Sequence, residues 1–302
     1  MSARIFIDGQ AGTTGLGIAQ RLAADGGFTL VTLPEASRKN PEARAEAMNR
    51  ADLTVLCLPD DAAREAVAIA PQNARILDAS TAHRVAQGWV YGFAEMLPGQ
   101  AEKIAGAARV ANPGCYATGA IALLRPLTGL GLLAADAPLS INAVSGYSGG
   151  GKSMIGAHEA AGGPAFELYA LGLKHKHLPE IMRYGGLTRA PVFVPSVGHF
   201  AQGMLVCVPL HLEQLAKPGS AAQLADAYAD YYAGAENIAV QRGIWGANLD
   251  PEGLNDTDRL EIFICANEEA GQVVLVARLD NLGKGASGAA VQNIKLMLGL
   301  GA

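Results

Sequence analysis

The chain has 302 residues, half of them apolar, and a formal net charge of -5 with no run of lysine or arginine. That length suits two domains of about 150 residues with sizeable cores, and the charge argues against nucleic acid as a partner, leaving small molecules as the expected ligands. Four cysteines without a C-x-x-C pair give no support to a disulfide scaffold, a zinc site or a thioredoxin-like redox pair, so no metal and a reducing, cytoplasmic setting are expected.

In chain order, apolar runs at 5–8, 28–33, 53–58 and 75–78 alternate with helix-like segments at 16–24, 42–49 and 62–70. Continuous apolar strands spaced for crossover helices predict βαβ units and a parallel sheet covered on both faces. No charged-then-apolar leader precedes the first run. After residue 115 the pattern changes to longer strand-like runs at 139–145, 192–195, 203–212, 259–266 and 273–279, which reads as an α+β domain. The longest apolar stretch, 119–133, is broken by Arg125-Pro126 and three glycines, too interrupted to cross a bilayer. A last amphipathic helix at 286–298 is expected to return to the first domain. The fold class is therefore α/β: a Rossmann-type doubly wound parallel sheet over residues 1–114, completed by 282–302, plus an α+β domain over 115–281 that carries the substrate site.

The first strand runs into Gly9-Gln10-Ala11-Gly12-Thr13-Thr14-Gly15, a G-x-x-G-x-x-G spacing that opens a helix. Glycines there allow a tight turn, and they let the N–H groups of this loop approach a pyrophosphate held at the helix N-terminus. Glu35 stands where an acid would hold an adenine ribose, yet Ser37-Arg38-Lys39 follow at once. Basic residues suit a 2′-phosphate, so Ser37 and Arg38 point to NADP(H) over NAD(H). A second loop, Gly146-Tyr147-Ser148-Gly149-Gly150-Gly151-Lys152-Ser153, fits the P-loop expression in full. The glycine-containing segment behind it has too few apolar residues for the buried helix an NTPase needs. It reads instead as flexible backbone near a substrate, with Ser148 and Gly149 as substrate-side candidates.

Asn112-Pro113-Gly114-Cys115-Tyr116 places one cysteine on a tight turn before an apolar helix expected through about residue 124. The positive end of a helix dipole favours thiolate over thiol. Cys57, Cys207 and Cys265 lie inside strand-like runs and read as small hydrophobes. Lys174-His175-Lys176-His177-Leu178-Pro179-Glu180 sets two histidines beside two lysines, just before a helix that Pro179 can start. His177 is the expected general acid/base, with His175 as the alternate. Arg84 follows a strand and so falls near its carboxyl end, where a guanidinium can clamp a phosphate or carboxylate; Lys284 and Arg109 are weaker anion-binding candidates. A nicotinamide site, a thiolate and a histidine together suit hydride transfer through a covalent thioester formed from an acyl phosphate. Main-chain N–H groups at the helix start, with Asn112, are candidates for holding the oxyanion.

These motifs, together with Asp280-Asn281-Leu282-Gly283-Lys284-Gly285-Ala286-Ser287-Gly288, resemble the short type of N-acetyl-gamma-glutamyl-phosphate reductase, within the aspartate-semialdehyde dehydrogenase superfamily, over nearly the whole chain. The resemblance implies NADPH-dependent conversion of N-acetyl-L-glutamyl 5-phosphate to the 5-semialdehyde with release of phosphate, a step of arginine biosynthesis. It implies Cys115 as nucleophile, and a last glycine loop (Asn281, Gly283, Lys284, Gly285) that helps close the cofactor site. It also implies assembly as a homodimer or homotetramer through the second domain. Leu58-Pro59-Asp60-Asp61 replaces the Leu-Pro-His-Gly of the longer type.

Overall fold

The structure, a computed structural model, describes residues 2–216, 220–244 and 246–300. Two compact units divide the chain: Met1–Pro113 with Ala286–Ala302, and Gly114–Gly285.

The first unit runs β1 (Ala3–Asp8), α1 (Thr13–Asp25), β2 (Phe28–Val31), α2 (Pro41–Arg50), β3 (Leu53–Leu56), α3 (Asp60–Ile69), β4 (Ile76–Asp78), β5 (Val90–Tyr91), α4 (Gln100–Gly106) and β6 (Arg109–Ala111). Its strands form one sheet in the order β2-β1-β3-β4-β6-β5, with every pairing among the described residues parallel. Alternate residues of β1 explain the double cover. Ile5 and Ile7 join a core with Ile18, Leu22, Ile294 and Met297, while Phe6 joins another with Met48, Leu56, Ala63 and Ala66. A strand buried on both faces has no polar side, hence its unbroken apolar sequence. The chain starts at β1 and fills one side before crossing to the other, so the carboxyl ends of β1 and β3 form the switch point where open α/β sheets take ligands.

The second unit runs α5 (Cys115–Gly129), β7 (Ser140–Gly146), α6 (Gly151–Glu159), β8 (Phe166–Leu168), α7 (Leu178–Gly185), β9 (Val192–Gly198), β10 (Met204–His211), α8 (Ala221–Tyr231), β11 (Ile238–Ile244), β12 (Leu260–Asn267) and β13 (Gln272–Leu279). Its sheet is mixed, in the order β11-β12-β13-β10-β7-β9-β8. The last helix, α9 (Gly288–Leu298), belongs to the first unit, where Lys295 pairs with Asp25 of α1 at 2.9 Å.

Three details differ from the sequence reading. Helix α5 continues to Gly129 although Pro126 lies inside it. Proline cannot donate to the carbonyl four residues back, and the Tyr232 hydroxyl supplies that bond to the Ala122 carbonyl at 2.8 Å, while the Tyr228 hydroxyl donates to Leu123. The unit boundaries fall after Pro113 and Gly285 rather than after 114 and 281, which places Asn281, Gly283, Lys284 and Gly285 in the unit that holds Cys115. The segment after the P-loop-like sequence does form a helix, α6, but His158 is its only buried residue and Lys152 is exposed.

Candidate active site

Cys115 is the first residue of α5. Gly114, its N-cap, is extended (φ -80°, ψ 149°) and offers no side chain to the helix end, and the first turn carries no acid. The opening N–H groups therefore lack a side-chain cap beside the sulfur, the arrangement that favours a thiolate. The other cysteines differ. Burial, with Asp78 and Asp8 nearby, pushes the Cys57 thiol up to about 12; burial pushes Cys207 to about 11 and raises Cys265 as well.

Helix α7 starts as its sequence predicts, with proline in its first turn and His177 as N-cap. Glu180, 1% exposed, faces back toward the turn before Cys115: its Oε2 accepts the Gly114 N–H at 3.2 Å, and its Oε1 lies 3.9 Å from His177 Nε2. One carboxylate thus touches both the residue that caps the cysteine helix and the histidine. The pattern was present in the sequence, an acid three residues after His177 on a proline-started helix, but its partner Gly114 lies 66 residues away.

His175 makes different contacts from His177. Its Nδ1 accepts the His177 backbone N–H at 3.1 Å and its Nε2 lies 3.3 Å from the Tyr169 hydroxyl. A nitrogen that accepts a backbone N–H carries no proton, so the neutral ring is held in the Nε2–H form. The ring also packs edge-on against Tyr116, Phe193 and His177. Tyr116 donates to the Ser196 carbonyl at 2.8 Å, and burial drives its phenol far above the ordinary tyrosine value. Tyr169 is likewise pushed up to about 12, chiefly by burial. Both phenols therefore keep their protons; Tyr116 is a fixed donor to Ser196, and the Tyr169 oxygen accepts from the His175 Nε2–H.

The loop after β13 closes on the same cysteine. Asp280 is fully buried and its carboxylate accepts from the Leu282 and Asp256 N–H groups and from the Gln202 amide. Asn281 accepts the Gly203 N–H at 2.8 Å and donates to Ser148 Oγ at 2.9 Å. Ser148, Gly149 and Asn281 are thereby brought together: a Cβ on Gly149 would meet Ser145 Oγ at 3.2 Å and Asn281 Nδ2 at 3.4 Å. The chain then makes a π-helical turn, Gly283–Ser287, with Lys284 1% exposed. A Cβ on Gly285 would stand 2.9 Å from Cys115 Cβ, closer than real Cβ contacts come. Only glycine lets this turn pass Cys115 so closely.

The first unit holds the remaining candidates. Gly9 has φ +86°, and a Cβ there would fall 2.3 Å from the Cys57 carbonyl oxygen; one on Gly15 would fall 2.7 Å from the Gly9 oxygen. A Cβ on Gly12 would meet only the Gly9 oxygen, at 3.5 Å, so the protein itself leaves room there. Gln10 and Ala11 lie between these glycines, Thr13 and Thr14 begin α1, and the helix end is again uncapped by a side chain. A cavity of about 250 Å³ opens at the carboxyl ends of β1, β2 and β3, lined by Asp8, Gly9, Gln10, Ala11, Leu33, Arg38 and Leu58 among others. Ser37 closes the short 3-10 turn before Arg38; Ser37 and Glu35 do not line the cavity.

Arg84 is buried on a loop locked by its neighbours. Asp78 accepts from Ser80 N, Ser80 Oγ and His83 Nδ1 at 2.9, 2.7 and 2.6 Å, and His83 stacks on Trp89. Asp60, from the segment that departs from the longer type, accepts both donors of Thr81. Arg84 itself donates to the Asn112 and Ala79 carbonyls. Asn112 was expected beside substrate, but its amide is engaged within the first unit, donating to the Ala286 carbonyl and accepting from Asn293. Arg109 donates to the Ala74 carbonyl, a contact internal to this unit.

Residues 115–281 match the family model described as semialdehyde dehydrogenase, dimerisation domain. The chain is 54% identical to N-acetyl-gamma-glutamyl-phosphate reductase 2 of Pseudomonas putida, over 98% of this chain and 96% of that one. It is 52% identical to N-acetyl-gamma-glutamyl-phosphate reductase of a Chelativorans species, over 99% of each. Among solved structures, aspartate semialdehyde dehydrogenase II from Vibrio cholerae superposes with a TM-score of 0.74 at 16% identity, covering 99% of both chains. Aspartate semialdehyde dehydrogenase with NADP from Candida albicans gives 0.68 at 14%, covering 98% of both. At such identity these two report the fold, whereas the full-length matches above one-half identity decide the kinship: the chain belongs to the N-acetyl-gamma-glutamyl-phosphate reductase family.

Proposed function

We propose that this protein reduces N-acetyl-L-glutamyl 5-phosphate to N-acetyl-L-glutamate 5-semialdehyde with NADPH, releasing phosphate, as a step of arginine biosynthesis. The observation that carries the reading is Cys115 at the uncapped start of α5, tied through Glu180 to His177.

The Cys115 thiolate attacks the acyl carbon and phosphate departs, leaving a thioester on the sulfur. The N–H groups of the first turn of α5 are the donors for an oxyanion on that carbon, a reading supported by the uncapped helix start. The reduced nicotinamide supplies the hydride that the thioester carbon accepts. The resulting hemithioacetal collapses to the aldehyde, and the thiolate leaves. His177 takes the thiol proton at the start and returns one at the end; Glu180, 3.9 Å from its Nε2, orients it. His175, held by Tyr169, fixes the turn on which His177 sits.

The residues of the first unit fit a dinucleotide. Gly9 and Gly15 are demanded by close backbone packing, and Gly12 leaves its space for what lies outside the protein. The open helix end suits a pyrophosphate, and the cavity beside it, with Arg38 in its wall, is of a size for an adenosine end. Gln10, Thr13 and Thr14 complete that site, with Ser37 outside the cavity wall, directly before Arg38; Asn281, Gly283, Lys284 and Gly285 serve the nicotinamide end; Arg84, Ser148 and Gly149 serve the acyl phosphate. The chain works as a homodimer or homotetramer in the cytoplasm, a reading supported by the dimerisation-domain match and by four free cysteines.

Phosphate-dependent oxidation of candidate semialdehydes with NADP+ tests the substrate. N-acetylglutamate semialdehyde is expected to give the highest kcat/KM; a preference for aspartate semialdehyde would overturn the assignment.

A further inference from the structure

The cavity at the carboxyl ends of β1, β2 and β3 is lined by two charged residues, Asp8 and Arg38. Asp8 ends β1, immediately before Gly9, and is 6% exposed; Arg44, on α2, is 9% exposed. The Asp8 Oδ2 atom accepts both Arg44 Nε at 2.9 Å and Arg44 Nη2 at 2.7 Å. Burial nevertheless holds the Asp8 carboxyl above its ordinary value, against the opposing pull of Arg44.

A buried ion pair is a poor way to stabilise a fold. Desolvating both partners opposes their attraction, and apolar residues of the same volume commonly do as well. A pair retained in the wall of a ligand cavity therefore asks for a reason in the ligand. An unpaired carboxylate at this place would repel a coenzyme 2′-phosphate, which carries about -1.5 to -2 charges near neutral pH, far more than it would repel a 2′-hydroxyl. Arg38 has no hydrogen-bonding or charged side-chain partner among the described residues.

We propose that the Asp8–Arg44 pair is a specificity element for the phosphorylated coenzyme: Arg44 cancels the carboxylate in the cavity wall, so that Arg38 acts there as an uncompensated cation. The inference rests on the reading of this cavity as the adenosine end of the NADPH site. It assigns Arg44, which sequence spacing did not single out, a role in choosing between NADPH and NADH without requiring that it touch either.

The test is direct binding of NADPH and NADH to the full chain, followed by coenzyme fluorescence without substrate, alongside thermal unfolding of each variant. Arg44→Gln leaves the carboxylate unpaired and is expected to weaken NADPH binding by about tenfold while changing NADH binding little. Asp8→Asn combined with Arg44→Gln removes both charges and is expected to bring the NADPH-to-NADH affinity ratio back to within about threefold of the parent. Asp8→Asn alone, which leaves Arg44 positive, is expected to raise that ratio, and it carries the test if Arg44→Gln does not fold. Equal weakening of both coenzymes in Arg44→Gln, or a ratio that the double variant fails to restore, would overturn the proposal and leave the pair a packing feature. Failure of the parent protein itself to bind NADPH would instead overturn the cofactor reading.

Discussion

The backbone N–H of His177 donates to Nδ1 of His175 at 3.1 Å, so the first histidine of the pair builds the turn that presents the second. The two rings are close, with centroids 4.7 Å apart, but their hydrogen bonds divide the work between them. His177→Ala is expected to lower kcat by roughly a hundredfold to ten-thousandfold and to abolish one limb of the pH–rate profile. His175→Ala keeps both limbs, loses less activity and lowers the unfolding temperature. Rate measurements across pH on the two variants check this, and a lost limb in His175→Ala with an intact profile in His177→Ala would exchange the roles.

Glu180 acts through the residues it holds. Glu180→Gln preserves an acceptor for the Gly114 N–H but removes the charge beside His177. A fall in kcat of roughly tenfold is expected, with KM little changed. Glu180→Ala costs more, because it leaves a buried N–H without its partner.

Thiol reactivity separates the four cysteines. With Cys207 pushed to about 11 and Cys57 to about 12, only about one in a hundred and one in a thousand of these thiols ionise at pH 9. Iodoacetamide is expected to modify Cys115 first, with the other sites gaining only as the pH approaches their raised values. Peptide mass spectrometry over a pH series measures the order; equal rates at pH 7 would contradict the activated thiolate.

Gly285→Ala places a methyl group 2.9 Å from Cys115 Cβ. Overpacking of this kind costs about 1–3 kcal/mol, and here the strain falls on the nucleophile. The expected result is a large loss of kcat with a modest fall in unfolding temperature. Tyr232→Phe is its counterpart away from the chemistry: removing the donor to the Ala122 carbonyl leaves a buried acceptor beside Pro126, at about 1–3 kcal/mol of stability, with kcat unchanged.

The P-loop resemblance at Gly146–Ser153 predicts ATP binding that Lys152→Ala would abolish. The helix that follows is exposed, and its strand β7 lies between antiparallel β10 and parallel β9, whereas a P-loop springs from a parallel sheet with a buried helix. Isothermal titration with ATP is expected to show no binding to lose.

The parts of the fold that could be read from the residues are those set by local rules. A run such as Leu53-Thr54-Val55-Leu56, buried along its whole length, announces a central parallel strand, and Gly9 announces a turn that no side chain fits. The Asn112–Tyr116 stretch announces a cysteine at a helix start because Pro113 and Gly114 precede an apolar run. What stayed hidden depends on partners distant in sequence. The continuation of α5 past Pro126 needs a hydroxyl 110 residues from Ala122. Asn112 looked free to meet substrate because its partners, Ala286 and Asn293, lie 174 and 181 residues on. The division between His175 and His177 turns on a backbone N–H and on Tyr169, which no spacing rule names.

The account depends most on a covalent acyl group at Cys115. Intact-protein and peptide mass spectrometry after mixing the enzyme with N-acetylglutamyl phosphate, with NADPH withheld, measures it directly. An N-acetylglutamyl adduct on Cys115 that disappears when NADPH is added is the predicted result; no adduct on the native enzyme, or one on another residue that turns over with NADPH, would contradict the mechanism.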